Sequence, residues 1–558
     1  MKSNQKRRTG GEILVDQLLI QGVDRGYCVP GESYLAVLDA LYDSSIQLVT
    51  CRHEGGASMM AEAYGKLTNR PGICFVTRGP GFVNAMAGVH IAMQDSTPLI
   101  VFVGQIEKNM REREAFQEVN YKSLLSEHVK WVTEIDDVSR IPELIGRAFH
   151  IATSGRPGPV VIALPEDMLR TEVVVSDGNR IQKVALTPSI NDLQQFEHLL
   201  SSSSCPIMIL GGSGWNPKAV RRIEQFAERN QLSTAVQFRR QMLFSVEHDA
   251  FVGDVGLGMN PDLEERIRKA DLVILMGGRL SEVPSQGYQL LNIPVPKQTL
   301  IHIHADINEL NRVYQPDLAI NADPDNFTQV LSTIKLKNTW PSHLQRDRES
   351  YLKWRDTQQI QNPGQLQMGR IIEFLNQKLP KDAIVTNGAG NYASWVHRFY
   401  HYRGFGTQLA PTSGTMGYGL PAAIAAKQLF PEKIVICFAG DGDFMMTGEE
   451  YSTAVQYQIP IIVVIIDNGM YGTIRMHQEM HYPNRVMGTT LHNPDFTAYA
   501  EAFGGIGYRV VTTQAFYDAW EDALESSQMG IPVIIHCHLD SEAITPNKTL
   551  KAITSSAL

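Results

Sequence analysis

The stretch IVICFAGDGDFMMTGEEYSTAVQYQIPIIVVIIDNGMYGT, residues 434–473, allows few folds. An apolar, β-branched run leads into Gly440-Asp441-Gly442, a helical stretch follows, and a second apolar run stops at Asn468. Two such runs around a helix form a βαβ unit, whose strands lie parallel and are buried on both faces. Asp441 and Asn468 then stand at the ends of neighbouring strands, where parallel sheets bind their ligands.

The same alternation runs through the chain. GYCV, IQLVT, ICFVT, PLIVFVG and PVVIAL form a first set of strands; PIMILGGSG, LSTAVQF, ADLVILMGG and TLIHIHAD a second; DAIVTNGAG, KIVICFAGDG, IPIIVVIIDN and IPVIIHCHL a third. A chain of 558 residues exceeds one core. The expectation is α/β, with three doubly wound parallel-sheet domains over residues 1–180, 190–345 and 360–558. The polar stretches VSDGNRIQKVALTPSIND and LKNTWPSHLQRDRESYLKWRDTQ read as linkers.

A net charge of −9 over this length argues against a nucleic-acid surface. The basic run Lys2, Lys6, Arg7 and Arg8 reads as a solvated tail. With no apolar segment of membrane-spanning length, the expected compartment is the cytoplasm. The six scattered cysteines read as small buried hydrophobes.

An Asp carboxylate and an Asn amide oxygen are hard ligands, suited to Mg²⁺ or Ca²⁺ rather than zinc. Magnesium in so open a site completes its shell with phosphate oxygens, so a phosphorylated ligand is expected. Gly440 and Gly442 permit close backbone approach, and the amides of Asp443 and Phe444 can face an anion. Gly388, Gly390 and Asn391 could hold the other side of a diphosphate. The bland alternative is that G-D-G is only a strand-to-helix turn. Glu54, in LVTCRHEGGASMM, is a carboxylate at another strand end; it is either a tuned acid/base group or a helix N-terminal charge.

With RHE at 52–54, GDG at 440–442 and Asn468 in place, the chain resembles the thiamine diphosphate-dependent family of acetolactate synthase, benzaldehyde lyase and pyruvate decarboxylase. The resemblance spans pyrimidine-binding, middle and diphosphate-binding domains in that order. RGPGFVN, QDSTPLIVFVGQ and EAFQE are similar to acetolactate synthase stretches. SGTMGYGLPAA, residues 413–423, resembles the segment that holds the aminopyrimidine. The resemblance implies thiamine diphosphate and Mg²⁺, with Asp441, Asn468 and the Met470 carbonyl as metal ligands. It makes Met416 the prop of the bent cofactor and the Gly414 carbonyl the acceptor for its 4′-amino group. Tyr471 and Gly472 would line the cofactor, and Glu54 would bond to N1′ from a water-poor pocket. The family often has serine where Asp443 stands; its backbone amide would serve equally, leaving the extra charge unexplained. The two halves of the site come from different subunits in this family, implying a homodimer or homotetramer.

For the reaction, the resemblance implies a 2-oxoacid donor whose enamine a second carbonyl captures. The His-His pair of the decarboxylases is missing, and Phe116 and Gln117 match acetolactate synthase. Phe82 and Gln478 fall in the same substrate set. Other residues point elsewhere. Arg279 is kept in GGRLSEVPSQG, but Glu282 and Val283 replace the Asp-Arg pair that grips a second oxoacid. His477 stands where acetolactate synthases carry tryptophan, and YPNRVMGTTLHNPDF is similar to benzaldehyde lyase. An aldehyde carboligase or lyase, or a simple 2-oxoacid decarboxylase with His477 as acid/base, therefore stays open. GGSG at 211–214 and HIHADINE at 302–309 resemble an FAD-bearing sheet, but no lysine-glycine stretch accompanies them, so FAD is possible and not favoured. GYGLPA at 417–422 lacks the acidic partner of a dinucleotide fingerprint. His536 and His538 read as one face of a half-buried strand rather than a metal site.

Overall fold

The computed structural model describes residues 7–336 and 338–557, which contain three parallel six-stranded sheets. In the first, Arg25–Cys28 (β1), Gln47–Thr50 (β2), Gly72–Val76 (β3), Leu99–Gln105 (β4), Trp131–Glu134 (β5) and Pro159–Pro165 (β6) lie in the order β2-β1-β3-β4-β6-β5. The second comprises Pro206–Leu210 (β7), Thr234–Gln237 (β8), Phe251–Val255 (β9), Leu272–Met276 (β10), Thr299–His304 (β11) and Leu318–Asn321 (β12), ordered β9-β8-β7-β10-β11-β12. The third comprises Ile384–Asn387 (β13), Gln408–Leu409 (β14), Val435–Gly440 (β15), Ile462–Asp467 (β16), Ile506–Val510 (β17) and Val533–His538 (β18), ordered β14-β13-β15-β16-β18-β17. The first and third sheets thus share one strand order, and the second has the dinucleotide-fold order. Central strands such as VICFA and IVVII are buried throughout, as expected when helices cover both faces.

Five strands escape the apolar-run criterion. Trp131–Glu134 and Ile506–Val510 are half-buried edges with mixed sequences, and Leu318–Asn321 alternates buried and exposed residues. Phe251–Val255 carries a glycine and an aspartate, and Gln408–Leu409 is only two residues long.

By packing, the chain divides into two compact units. One comprises residues up to Val184 with Leu420–Phe430 and Thr447–Tyr457; the other comprises Ala185–Gly419, Pro431–Met446 and Gln458–Leu558. In the first unit, helices Glu54–Thr68 and Pro80–Asp95 approach closely, because a Cβ on Gly88 would lie 2.3 Å from the Ser58 hydroxyl oxygen.

The basic N-terminal run is not wholly a solvated tail. Lys2 and Lys6 lie outside the described residues, but Arg8 pairs with Asp16 and with Asp177 at 2.8 Å, and Arg8–Thr9 pairs antiparallel with Glu172–Val173. The first linker is extended and docked: the Gln17 amide donates to Asp177 and accepts from the Gly178 N–H. The second is largely the helix Pro341–Trp354, whose buried Asp347 bonds Arg266 Nε at 2.7 Å and the Ser233 hydroxyl at 2.8 Å. No helix among the described residues is long and apolar enough to cross a membrane.

Candidate active site

The third sheet reverses its strand order between β13 and β15, and the loops leaving these strands line a cavity of about 350 Å³. Register fixes the geometry: Gly440 pairs with Ile466, so Asp441 leaves β15 beside the end of β16, and Asn468 follows at once. Gly390, Asn391, Gly414, Met416, Gly440, Asp441, Gly442, Asp443, Asn468, Met470, Tyr471 and Gly472 all line this cavity.

Absent side chains create the room. A Cβ on Gly442 would come within 2.5 Å of the Tyr471 ring, and one on Gly388 within 2.1 Å of Asp443 Oδ1. Gly414 has a left-handed φ of 67° and open space where a Cβ would point. Gly388 and Phe444 do not line the cavity: Gly388 abuts Asp443, which does, and the Phe444 ring packs edge-on against Phe496 and Tyr499. The loop after Asn468 is held by a second segment, since the Tyr471 N–H donates to Thr489 O at 2.9 Å and the Leu491 N–H to Gly469 O at 2.8 Å.

Asp441 is buried, and Asn493 Nδ2 donates to its Oδ2 at 2.8 Å and to Asp467 Oδ1 at 2.9 Å. Burial, assisted by the neighbouring Asp467 charge, raises the Asp441 carboxyl above its ordinary range. An acid strained toward neutrality gains from a cation beside it.

Asp443 has a clear structural role. Its Oδ1 accepts from the Gly417 N–H at 2.7 Å and the Ala389 N–H at 3.2 Å, while Oδ2 accepts from the Tyr392 hydroxyl at 2.6 Å. One buried carboxylate thereby ties together the three loops that build the cavity. Asn391 is tied too, its Oδ1 accepting from the Thr473 hydroxyl at 2.9 Å.

Glu54 begins the helix Glu54–Thr68 in the first unit. Its Oε2 accepts from Asn84 Nδ2 at 2.9 Å, and Oε1 lies 3.2 Å from where a Gly81 Cβ would be. In the single chain it is half-buried. The turn before it is rigid: fully buried Glu450 accepts from the N–H groups of Arg52 and His53 and from the Thr453 hydroxyl, at 3.1, 2.9 and 2.6 Å. Gly56 makes room, since a Cβ there would sit 2.3 Å from Glu450 Oε1.

The substrate candidates are scattered. Phe82 is fully buried against Tyr121, with ring centroids 5.1 Å apart, whereas Phe116 is exposed. Gln117 has a left-handed φ of 63° and packs on Gly79, and Arg78 Nε holds the Phe116 carbonyl at 3.2 Å. His477 is exposed on the helix Gly472–His481, and the Gln478 amide donates to Met487 O at 2.7 Å; neither lines the cavity. Val283 does, while Arg279 lies 3.9 Å from Glu309.

Sequence reasoning missed Arg239, Tyr392, Glu450 and Asn493. Arg239 lines the cavity from the middle sheet, with Nη1 donating to Pro411 O at 2.5 Å. Its position at the end of β8, followed by a second arginine, was the available signal. GGSG is a packing turn: Gly211 abuts Gln237, and Gly212, with a φ of 66°, abuts the Gly277 carbonyl. His302 Nε2 lies 3.0 Å from the Gly278 carbonyl.

A cavity with Asp441 and Asn468 in its wall and glycines leaving the space open fits thiamine diphosphate. Residues 8–124, 193–331 and 388–537 match the N-terminal TPP binding, central and C-terminal TPP binding domains of thiamine pyrophosphate enzymes. The chain is 28% identical to the acetolactate synthase isozyme 2 large subunit of Escherichia coli over 534 residues, covering 95% of each chain. It is 30% identical to the acetolactate synthase large subunit of Lactococcus lactis over 556 residues, covering 95% of this chain and 93% of that one. The acetolactate synthase of Bacillus subtilis is 27% identical over 550 residues, with 97% and 94% covered. Similar to acetolactate synthases along nearly its whole length, the chain is a thiamine diphosphate-dependent enzyme that makes or breaks carbon–carbon bonds. With a relative at 30% identity along nearly its whole length and all three domains matched in order, the chain belongs to the thiamine pyrophosphate enzyme family.

Proposed function

We propose that the enzyme takes a 2-oxoacid as donor and joins its acyl fragment to a second carbonyl compound. Thiamine diphosphate supplies the carbon nucleophile that makes both steps possible. The observation that carries the donor assignment is Arg239, a nearly buried cation in the cavity wall, which offers the charge that a carboxylate seeks. Val283 lines the same cavity with an apolar side chain and offers no second clamp, which favours an uncharged acceptor such as an aldehyde alongside a second oxoacid.

In this reading Asp441, Asn468 and the Met470 carbonyl would hold Mg²⁺, and the amides at Gly442 to Phe444 would complete the anion site for the diphosphate. Met416 and Gly414 would position the aminopyrimidine, and Glu54 would hold a proton at its N1′. Gln117 and Phe116 act on the substrate side. Glu54 is half-open in the single chain, as expected if a second copy closes over it. The working enzyme is then a homodimer or homotetramer, with domain limits near 1–180, 190–345 and 360–558.

The test is to supply pyruvate alone, then pyruvate with an aldehyde, and identify products by mass spectrometry. Acetolactate or a mixed acyloin supports carboligation. Acetaldehyde as the sole product refutes it in favour of a decarboxylase. Arg239→Gln should raise KM for the 2-oxoacid at least tenfold while leaving KM for the aldehyde within about twofold.

A further inference from the structure

Behind the cradle lies a second cluster with different chemistry. Strands β16 and β18 pair in parallel, with Ile465 opposite His536 and Asp467 opposite His538. Alternation puts both histidines on one face, beside the end of β16. One ligand atom from each of Asp467, His536 and His538 lies within 4.8 Å of the others. His536 Nε2 is 2.9 Å from Asp467 Oδ2, and the imidazole centroids are 4.1 Å apart with a 40° interplanar angle.

We propose that Asp467, His536 and His538 form a binding site for a divalent transition metal of the Zn²⁺ class, separate from the oxygen ligands Asp441 and Asn468. Two imidazoles and a carboxylate suit Zn²⁺ or Co²⁺, whereas Mg²⁺ prefers oxygen alone. A satisfied core histidine would have both nitrogens engaged. Here His536 is 2% exposed, and its Nδ1 and the buried Nε2 of His538 have no hydrogen-bond partner among the described residues. Coordination through His536 Nε2 requires the tautomer with its proton on Nδ1. That atom lies 4.0 Å from Asp495 Oδ1, the outer carboxylate that metal-bound histidines commonly face. Asp495 is itself held in place, accepting from the Thr497 N–H at 2.9 Å.

Asp467 can give Oδ2 to the ion and keep Oδ1 on the Asn493 amide and the Gly469 N–H, both at 2.9 Å. A cavity of about 380 Å³, lined by Asp467, His492, Asn493, Asp495, His536 and His538, supplies the entry path and room for water ligands.

The full-length enzyme, stripped with chelator and reloaded with Mg²⁺ and thiamine diphosphate, is titrated with Zn²⁺ by calorimetry and with Co²⁺ by visible absorption. One equivalent per chain is expected, with the Co²⁺ spectrum of a nitrogen- and oxygen-ligated ion. His538→Gln, at a half-buried position, should lower Zn²⁺ affinity at least tenfold while Mg²⁺-dependent thiamine diphosphate affinity stays within about twofold. No Zn²⁺ uptake by the wild type, or uptake undiminished in both His538→Gln and His536→Gln, would overturn the proposal. Should His536→Gln fail to fold, His538→Gln and the wild-type Co²⁺ spectrum decide the question alone.

Discussion

Asp443 and Tyr392 are joined by a 2.6 Å hydrogen bond from the phenol to the buried carboxylate, at the centre of the network that shapes the cofactor cavity. A buried acid without partners would be costly, so its three donors make the charge tolerable and turn it into a fastener. Asp443→Ala leaves two backbone amides and a phenol unpaired, and should cost about 2–4 kcal/mol of stability. Tyr392→Phe removes one bond and should cost about 1–2 kcal/mol. Thermal unfolding of the apoenzyme measures both, and thiamine diphosphate affinity should fall in the same order.

Glu450 plays the corresponding part beneath Glu54. Gly56→Ala places a methyl group against its carboxylate, and should destabilise by about 1–3 kcal/mol. Glu450→Gln keeps the shape and an oxygen for the Arg52 and His53 N–H groups, but removes the charge and turns its amide toward the Thr453 hydroxyl, so turnover should drop more than stability does. Comparing kcat with the unfolding midpoint for the two variants checks this.

Binding of the diphosphate should depend on the acid after Gly440. Asp441→Ala is expected to abolish Mg²⁺-dependent affinity for thiamine diphosphate in calorimetry, while folding is retained because the lost acid was raised by burial and contributed little stability when charged.

His302 sets a pH dependence of stability in the middle sheet. Burial, then the neighbouring His304, pushes it down from 6.5 to about 4. The unfolded chain therefore binds a proton that the folded chain refuses between these values. Stability is full above about pH 6.5 and is lost as pH falls toward 4. At pH 5 the loss should be about 2 kcal/mol. His302→Gln should flatten the unfolding midpoint between pH 7 and pH 5 relative to wild type.

Much of this was legible in the sequence because parallel sheets write themselves as apolar runs. The runs ending at Gly440 and Asp467 placed Asp441 and Asn468 together correctly, and the cavity gathers them with Gly390, Gly414 and Met416. Of the edge strands only Gln47–Thr50 was legible, since half-exposed segments such as Ile506–Val510 lack that signature. The role of Asp443 was hidden because its partners, Ala389, Tyr392 and Gly417, come from distant loops. His536 and His538 showed only their alternation; Asp467, on the neighbouring strand, gave them a third ligand.

The central assignment is the proposed action of Glu54 on thiamine diphosphate held by Asp441. The most direct measurement is hydrogen–deuterium exchange at C2 of bound thiamine diphosphate, followed by NMR in wild type and Glu54→Gln. Glu54→Gln should bind the cofactor within a few-fold of wild type and slow the exchange by orders of magnitude. Exchange at the wild-type rate in Glu54→Gln would contradict the assignment.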